Sequence, residues 1–204
     1  VRALIFEYRR APEYKFPAQL DDAVAAYRWL LEQGISPDQI AVTGDSAGGG
    51  LSVSILLRAR ELGLPLPAAS IPFSPWVDME STGESMLTNR GKDALFTKES
   101  VDRLVTMVLG DGDRRDPYAS PLYGDLAGLP PMYIQVGGYE LLLDDARRLA
   151  ERAKAAGVEV QFDIFPELQH TFHFSAGRAP EADEAIRRIA GWVRPKLGLT
   201  ADRT

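Results

Sequence analysis

The sequence contains no cysteine, and histidine occurs only twice. The first absence excludes disulfides, thiolate metal sites and a cysteine nucleophile. The second leaves His170 and His173 as the whole supply of imidazole for general-base chemistry. Positive charge is short as well: 23 Lys and Arg against 29 Asp and Glu give a formal net charge of −6. With no basic run to form a patch, this argues against a nucleic-acid partner and points to small molecules. No stretch approaches the length of about eighteen apolar residues that a membrane span needs. The chain also lacks an initiator Met and opens on Val1 to Tyr8, VRALIFEY, which reads as the middle of a buried strand. It is therefore expected to begin partway through a larger protein, with an export signal on the preceding part left open and the cytoplasm as the expected location.

What is present is an ordinary globular composition, 204 residues with 45% hydrophobic and 25% charged, enough for one domain with a sizeable core. The chain is organised around Ile40 to Leu51, IAVTGDSAGGGL. An apolar run leads into Gly44-Asp45-Ser46-Ala47-Gly48, a G-x-S-x-G pattern in which a strained turn between strand and helix lifts a serine hydroxyl above the sheet. Ser46 is the candidate nucleophile. Gly44, Gly48 and Gly49 suit a crowded turn. A helix beginning at Ala47 would aim its unpaired N–H groups at the serine, which makes the Ala47 N–H the expected oxyanion donor. A bare Gly-rich turn is the plainer reading. A phosphate loop would require Gly-Lys-Ser/Thr, which does not follow.

Taken in order, Val1–Tyr8 is a first strand, and a helix runs from Pro17 to Gly34 with Leu20, Val24, Tyr27, Leu30 and Leu31 on one face. The elbow strand and its helix follow, ending near Gly63. Ala68–Phe73 is a third strand. Regular alternation then lapses, so residues 76–128 form a long insertion near the active site, with one helical stretch around Glu99–Leu109. Met132–Val136 is a fourth strand, Leu142–Ala156 an amphipathic helix, Val158–Phe165 a fifth strand with one wetter face, as at a sheet margin, and Ala179–Leu197 a final helix. Residues 200–204 are expected to fray. Strands alternating with helices predict a parallel sheet whose carboxyl ends share one rim, where chemistry belongs.

His170 leaves the fifth strand at that rim, whereas His173 lies among Phe172 and Phe174 and suits packing. Glu140 lies in the rim loop after the fourth strand, while Asp144 and Asp145 fall in the first turn of the next helix, where acids complement the helix dipole. Asp144 is kept as the alternative acid. The order serine, acid, histidine is the one α/β-hydrolases require.

The chain resembles the hormone-sensitive-lipase-like esterases of the α/β-hydrolase fold. The matches are Tyr8-Arg9-x-Ala11-Pro12-Glu13, Phe16-Pro17-Ala18, Gly44 to Gly49, Ser120-Pro121-Leu122, Leu129-Pro130-Pro131 and the Glu140 and His170 loops. The resemblance implies an α/β-hydrolase catalytic domain over residues 1–204, a mostly parallel sheet flanked by helices with its amino-terminal strands missing, and no metal or other cofactor. It implies a serine carboxylesterase acting on short- to medium-chain esters, lactones included, with Ser46, His170 and Glu140 as triad. The family's Asp-x-Leu-x-Asp pattern places the catalytic acid at Glu140, with Glu for the commoner Asp. Its His-Gly-Gly oxyanion loop lies upstream of Val1, so the chain is expected to be the carboxyl-terminal two thirds of such an esterase. Two other classes are carried: a non-catalytic small-molecule-binding protein, against which His170 argues, and a serine peptidase of prolyl-oligopeptidase type. Trp76, Met86, Leu87, Phe96 and Met107 are the expected substrate pocket. The partner is a small ester, with a homodimer as the expected assembly.

Overall fold

The computed structural model describes residues 2–199. Val1 and residues 200–204, the expected frayed tail, lie outside that range. Four strands, β1 (Ala41–Asp45), β2 (Ala69–Phe73), β3 (Met132–Gly137) and β4 (Val160–Phe165), pair in sequence order and all in parallel. Helices α1 (Ala18–Glu32), α2 (Ala47–Glu61), α5 (Leu143–Ala155) and α6 (Pro180–Lys196) cover them, while α3 (Ser85–Thr88) and α4 (Lys98–Leu109) lie in the long connection from β2 to β3.

Alternation along the strands divides the core. Met132, Ile134 and Val136 of β3 pack with Val53 and Leu56 of α2 and Ala146 and Leu149 of α5 in the large cluster on one face. Tyr133 points the other way, with Ile71, Ile189 and Trp192 beneath α6. Both faces of β3 are thus covered, and all six of its residues are buried. The mixed exposure of β4 follows from its place at the edge of the sheet, as its alternation predicts.

One expected element does not form. Residues 2–8 make no strand, and Leu4, Ile5 and Phe6 are exposed. An apolar run becomes a strand only when a neighbour takes its N–H and C=O groups, and no described strand lies beside it. The segment is anchored at its end instead: the Arg9 guanidinium grips Asp22 of α1 at 2.7 and 3.0 Å, and the Arg9 N–H donates to the same carboxylate at 2.9 Å.

Candidate active site

Ser46 sits between β1 and α2 with φ 54° and ψ −117°, a backbone conformation that an L residue adopts only when its surroundings enforce it. Its N–H donates to Phe73 O at the end of β2 at 2.9 Å, and its C=O accepts from Gly50 N–H at 3.1 Å and Trp76 N–H at 3.0 Å. Those bonds pull the chain so close that a Cβ on Gly44 would stand 2.2 Å from Gly48 O, and one on Gly50 2.1 Å from Trp76 O. Gly48, expected to be sterically required, would meet nothing within 4 Å. The requirement moves to Gly50, because the crowding comes from the chain after β2 rather than from the turn alone. Ala47 is the first residue of α2, so its N–H has no intrahelical acceptor.

Glu140 follows β3, and His170 follows β4, its parallel neighbour. The pair meets at 2.7 Å, His170 Nδ1–H donating to Glu140 Oε2. The other carboxylate oxygen accepts from Ser74 Oγ at 2.6 Å and Gly137 N–H at 2.5 Å. Glu140 has no exposed surface; burial pushes its carboxyl above the usual range, while the bonds from His170, Ser74 and Gly137 oppose that rise. With Nδ1 facing the carboxylate, the lone pair of a neutral imidazole would sit on Nε2, which is buried without a hydrogen-bond partner among the described residues, Ser46 included.

Asp144 is occupied elsewhere: its carboxylate accepts the Ser85 N–H at 2.8 Å and pairs with Arg147 at 2.5 Å. Asp145 accepts the N–H groups of Val77 and Asp78, both at 2.9 Å, and burial pushes its pKa up to about 8. His173 is packed against Phe73 and Phe172, with Nε2–H donating to Gln135 Oε1 at 3.1 Å, and desolvation lowers its pKa to about 4.

The five expected pocket residues are not gathered together. Trp76 and Met86 are buried in a cluster with Val101, Val105 and Leu141, while Leu87 and Met107 are exposed. Of the five, Phe96 has its ring edge-on to that of His170, with the centroids 5.1 Å apart. An aromatic or Met side chain in a connecting segment is apolar whether it turns toward core or cleft, and its position in the sequence does not say which. A cavity of about 370 Å³, lined by Leu168, His170, Phe172 and Ala182 among others, lies on the α6 side of the His170 loop, and its lining excludes Ser46.

Ser74 escaped the sequence reading although it stands at the carboxyl end of β2, the same placement that singled out Ser46 and His170. Asn89, Asp93 and Gln169 also escaped it, because the bonds that tie them across the site reach groups 48 to 77 residues away.

A family model described as alpha/beta hydrolase fold matches residues 1–174. The chain is similar to an acetyl-hydrolase of Streptomyces hygroscopicus, 45% identical over 195 residues, covering 96% of this chain and 65% of that protein. It is also similar to an esterase of Acinetobacter venetianus, 37% identical over 185 residues, covering 90% and 61%. Among solved structures, an esterase from the bacterial hormone-sensitive lipase family superposes with a TM-score of 0.92 at 50% identity over 94% of this chain and 65% of that one. EstE5, in a crystal soaked with p-nitrophenyl butyrate, gives 0.91 at 43% identity over 94% and 65%. The chain thus spans 61 to 65% of the length of these relatives.

Proposed function

The chain belongs to the α/β-hydrolase fold family, in its hormone-sensitive-lipase-like branch, and on that premise we propose that it carries the catalytic triad of a serine carboxylesterase. Ser46 Oγ attacks the ester carbonyl as its proton passes to His170 Nε2. Glu140 holds the imidazole in the tautomer that can accept it and stabilises the resulting imidazolium. The Ala47 N–H stabilises the oxyanion. Collapse of the tetrahedral intermediate breaks the bond to the alcohol, which takes the proton from Nε2. Water, deprotonated by the same nitrogen, then hydrolyses the acyl-enzyme.

The observation that carries the reading is the buried 2.7 Å Glu140–His170 bond with Nε2 left unpartnered, on the rim that bears the strained Ser46. The proposed substrates are short- to medium-chain carboxylic esters, with lactones as cyclic substrates of the same acyl chemistry. Names of the relatives favour esters over amides, and Phe96 is the pocket residue retained because it meets His170. A homodimer completes the proposal, checked by analytical ultracentrifugation.

The test is initial rates on p-nitrophenyl butyrate and on a dipeptide p-nitroanilide, with Ser46→Ala alongside, in the full-length protein. Ester turnover that vanishes in Ser46→Ala and an unreacted amide are expected. Preference for the amide would make the protein a peptidase, and no turnover of either would make it a binding protein.

A further inference from the structure

The connection between α3 and α4 is tied to both loops that carry the proposed acid and base. On the acid side, Asn89 Nδ2 donates to Gly138 O at 3.0 Å and to Glu140 O at 2.8 Å. The Leu141 N–H donates to Asp93 Oδ2 at 2.9 Å. The other oxygen of Asp93 accepts from the N–H groups of Leu95 at 2.8 Å and Phe96 at 2.9 Å, so one carboxylate shapes this connection and grips the loop of Glu140. On the base side, Gln169, the residue before His170, spans two backbone groups: its Oε1 accepts the Ala94 N–H at 2.8 Å and its Nε2 donates to Lys92 O at 2.9 Å. Asn89 and Asp93 are buried, so bonds that would be weak in water are made away from it.

We propose that residues 89–96 act as a strap that sets the separation and orientation of the Glu140–His170 pair, with Asn89, Asp93 and Gln169 as positioning residues. The proposal rests on the triad reading above. Pairing of β3 with β4 fixes where the two strands end, but Glu140 and His170 stand three and five residues beyond those ends, on loops. Loops are the least constrained part of a fold, whereas a hydrogen bond of 2.7 Å tolerates little displacement. Asn89 fixes the carbonyls of Gly138 and Glu140 itself, and Gln169 fixes its own side of the base loop to the same eight-residue segment. Phe96, at the strap's end, then lies edge-on to the His170 ring and limits its rotation.

A double-mutant cycle separates this from local loop stabilisation. Gln169→Leu, Asp93→Ala and the double variant are made in the full-length protein, and kcat and KM are measured on p-nitrophenyl butyrate at matched folded concentration. The expected loss in kcat is about 10- to 100-fold for each single change, because misplacement of the base is costly in rate, with KM near the parent's. The double should be no worse than the poorer single, since either change releases the same strap. The downfield proton resonance of His170 Nδ1–H should shift or broaden in both singles. If Asp93→Ala does not fold, Gln169→Leu alone decides through kcat and the resonance. Parental kcat and an unmoved resonance overturn the strap, as do losses that multiply in the double. His170→Ala and Ser46→Ala run as controls: if they stay active, the triad reading and the strap fall together, and if they are dead while the strap variants behave as parent, only the strap falls.

Discussion

Glu140 accepts three hydrogen bonds on a carboxylate with no exposed surface, whereas Asp144 is engaged with Ser85 and Arg147. Replacing Glu140 by Gln offers an amide where His170 needs an acceptor, which favours the wrong tautomer and should lower turnover by roughly 10³- to 10⁴-fold by analogy with other triads. Asp144→Asn should shift the urea midpoint and leave turnover near normal. Initial rates at matched folded concentration distinguish them, and collapse in Asp144→Asn alone would transfer the role. A second residue-scale expectation concerns Asp145, wholly buried beside Asp78 and Arg148, with Oδ1 unpartnered and a pKa pushed up to about 8. The folded state therefore holds a proton that the unfolded chain releases near its ordinary value of 3.8, so stability falls as pH rises through that window. Asn keeps an oxygen for the Val77 and Asp78 N–H groups without ionising. Asp145→Asn should gain in urea midpoint over the parent near pH 8 and far less near pH 4; an equal difference at both would refute the assignment.

Among elements, the turn from β1 into α2 is the most constrained, because three segments converge on one serine. The carbonyl of Ser46 takes N–H groups from α2 and from the chain after β2, and Gly50 lies where those two meet. Gly50→Ala would drive a methyl group against the Trp76 carbonyl and should cost both folded yield and activity. Gly48→Ala meets nothing and removes a flexible helix residue, so its thermal midpoint should hold or rise by the equivalent of about 0.5–1 kcal/mol. Thermal melts of the two variants side by side check this. If Gly48→Ala proves the more damaging, the crowding described at the elbow is wrong.

At the scale of the whole molecule, four parallel strands bring residues far apart in sequence to one rim, and the mass of the core lies away from it. Leu149 belongs to the large cluster between α5 and the sheet and has no exposed surface. Leu149→Ala should cost about 2–5 kcal/mol in unfolding free energy, read by urea denaturation, while turnover per folded molecule stays near the parent's. A parallel loss of kcat would mean that the core and the rim are coupled more tightly than the layers imply.

Sequence alone determined the elements whose instructions are local. The apolar period of α1 and α5, the G-x-S-x-G spacing around Ser46 and the alternation that marked β4 as marginal all lie within short windows. Periodicity was silent on partners. It could not say that residues 2–8 have no strand to pair with, that Met86 turns into the core while Leu87 faces solvent, or that Gly50 meets the Trp76 carbonyl. Nor could it find Ser74 on the Glu140 carboxylate, 66 residues away, or the ties of Asn89, Asp93 and Gln169. Those facts depend on the distance between strand ends once the sheet has formed, and a hydrogen bond of that kind leaves no mark on the residues next to it in the chain.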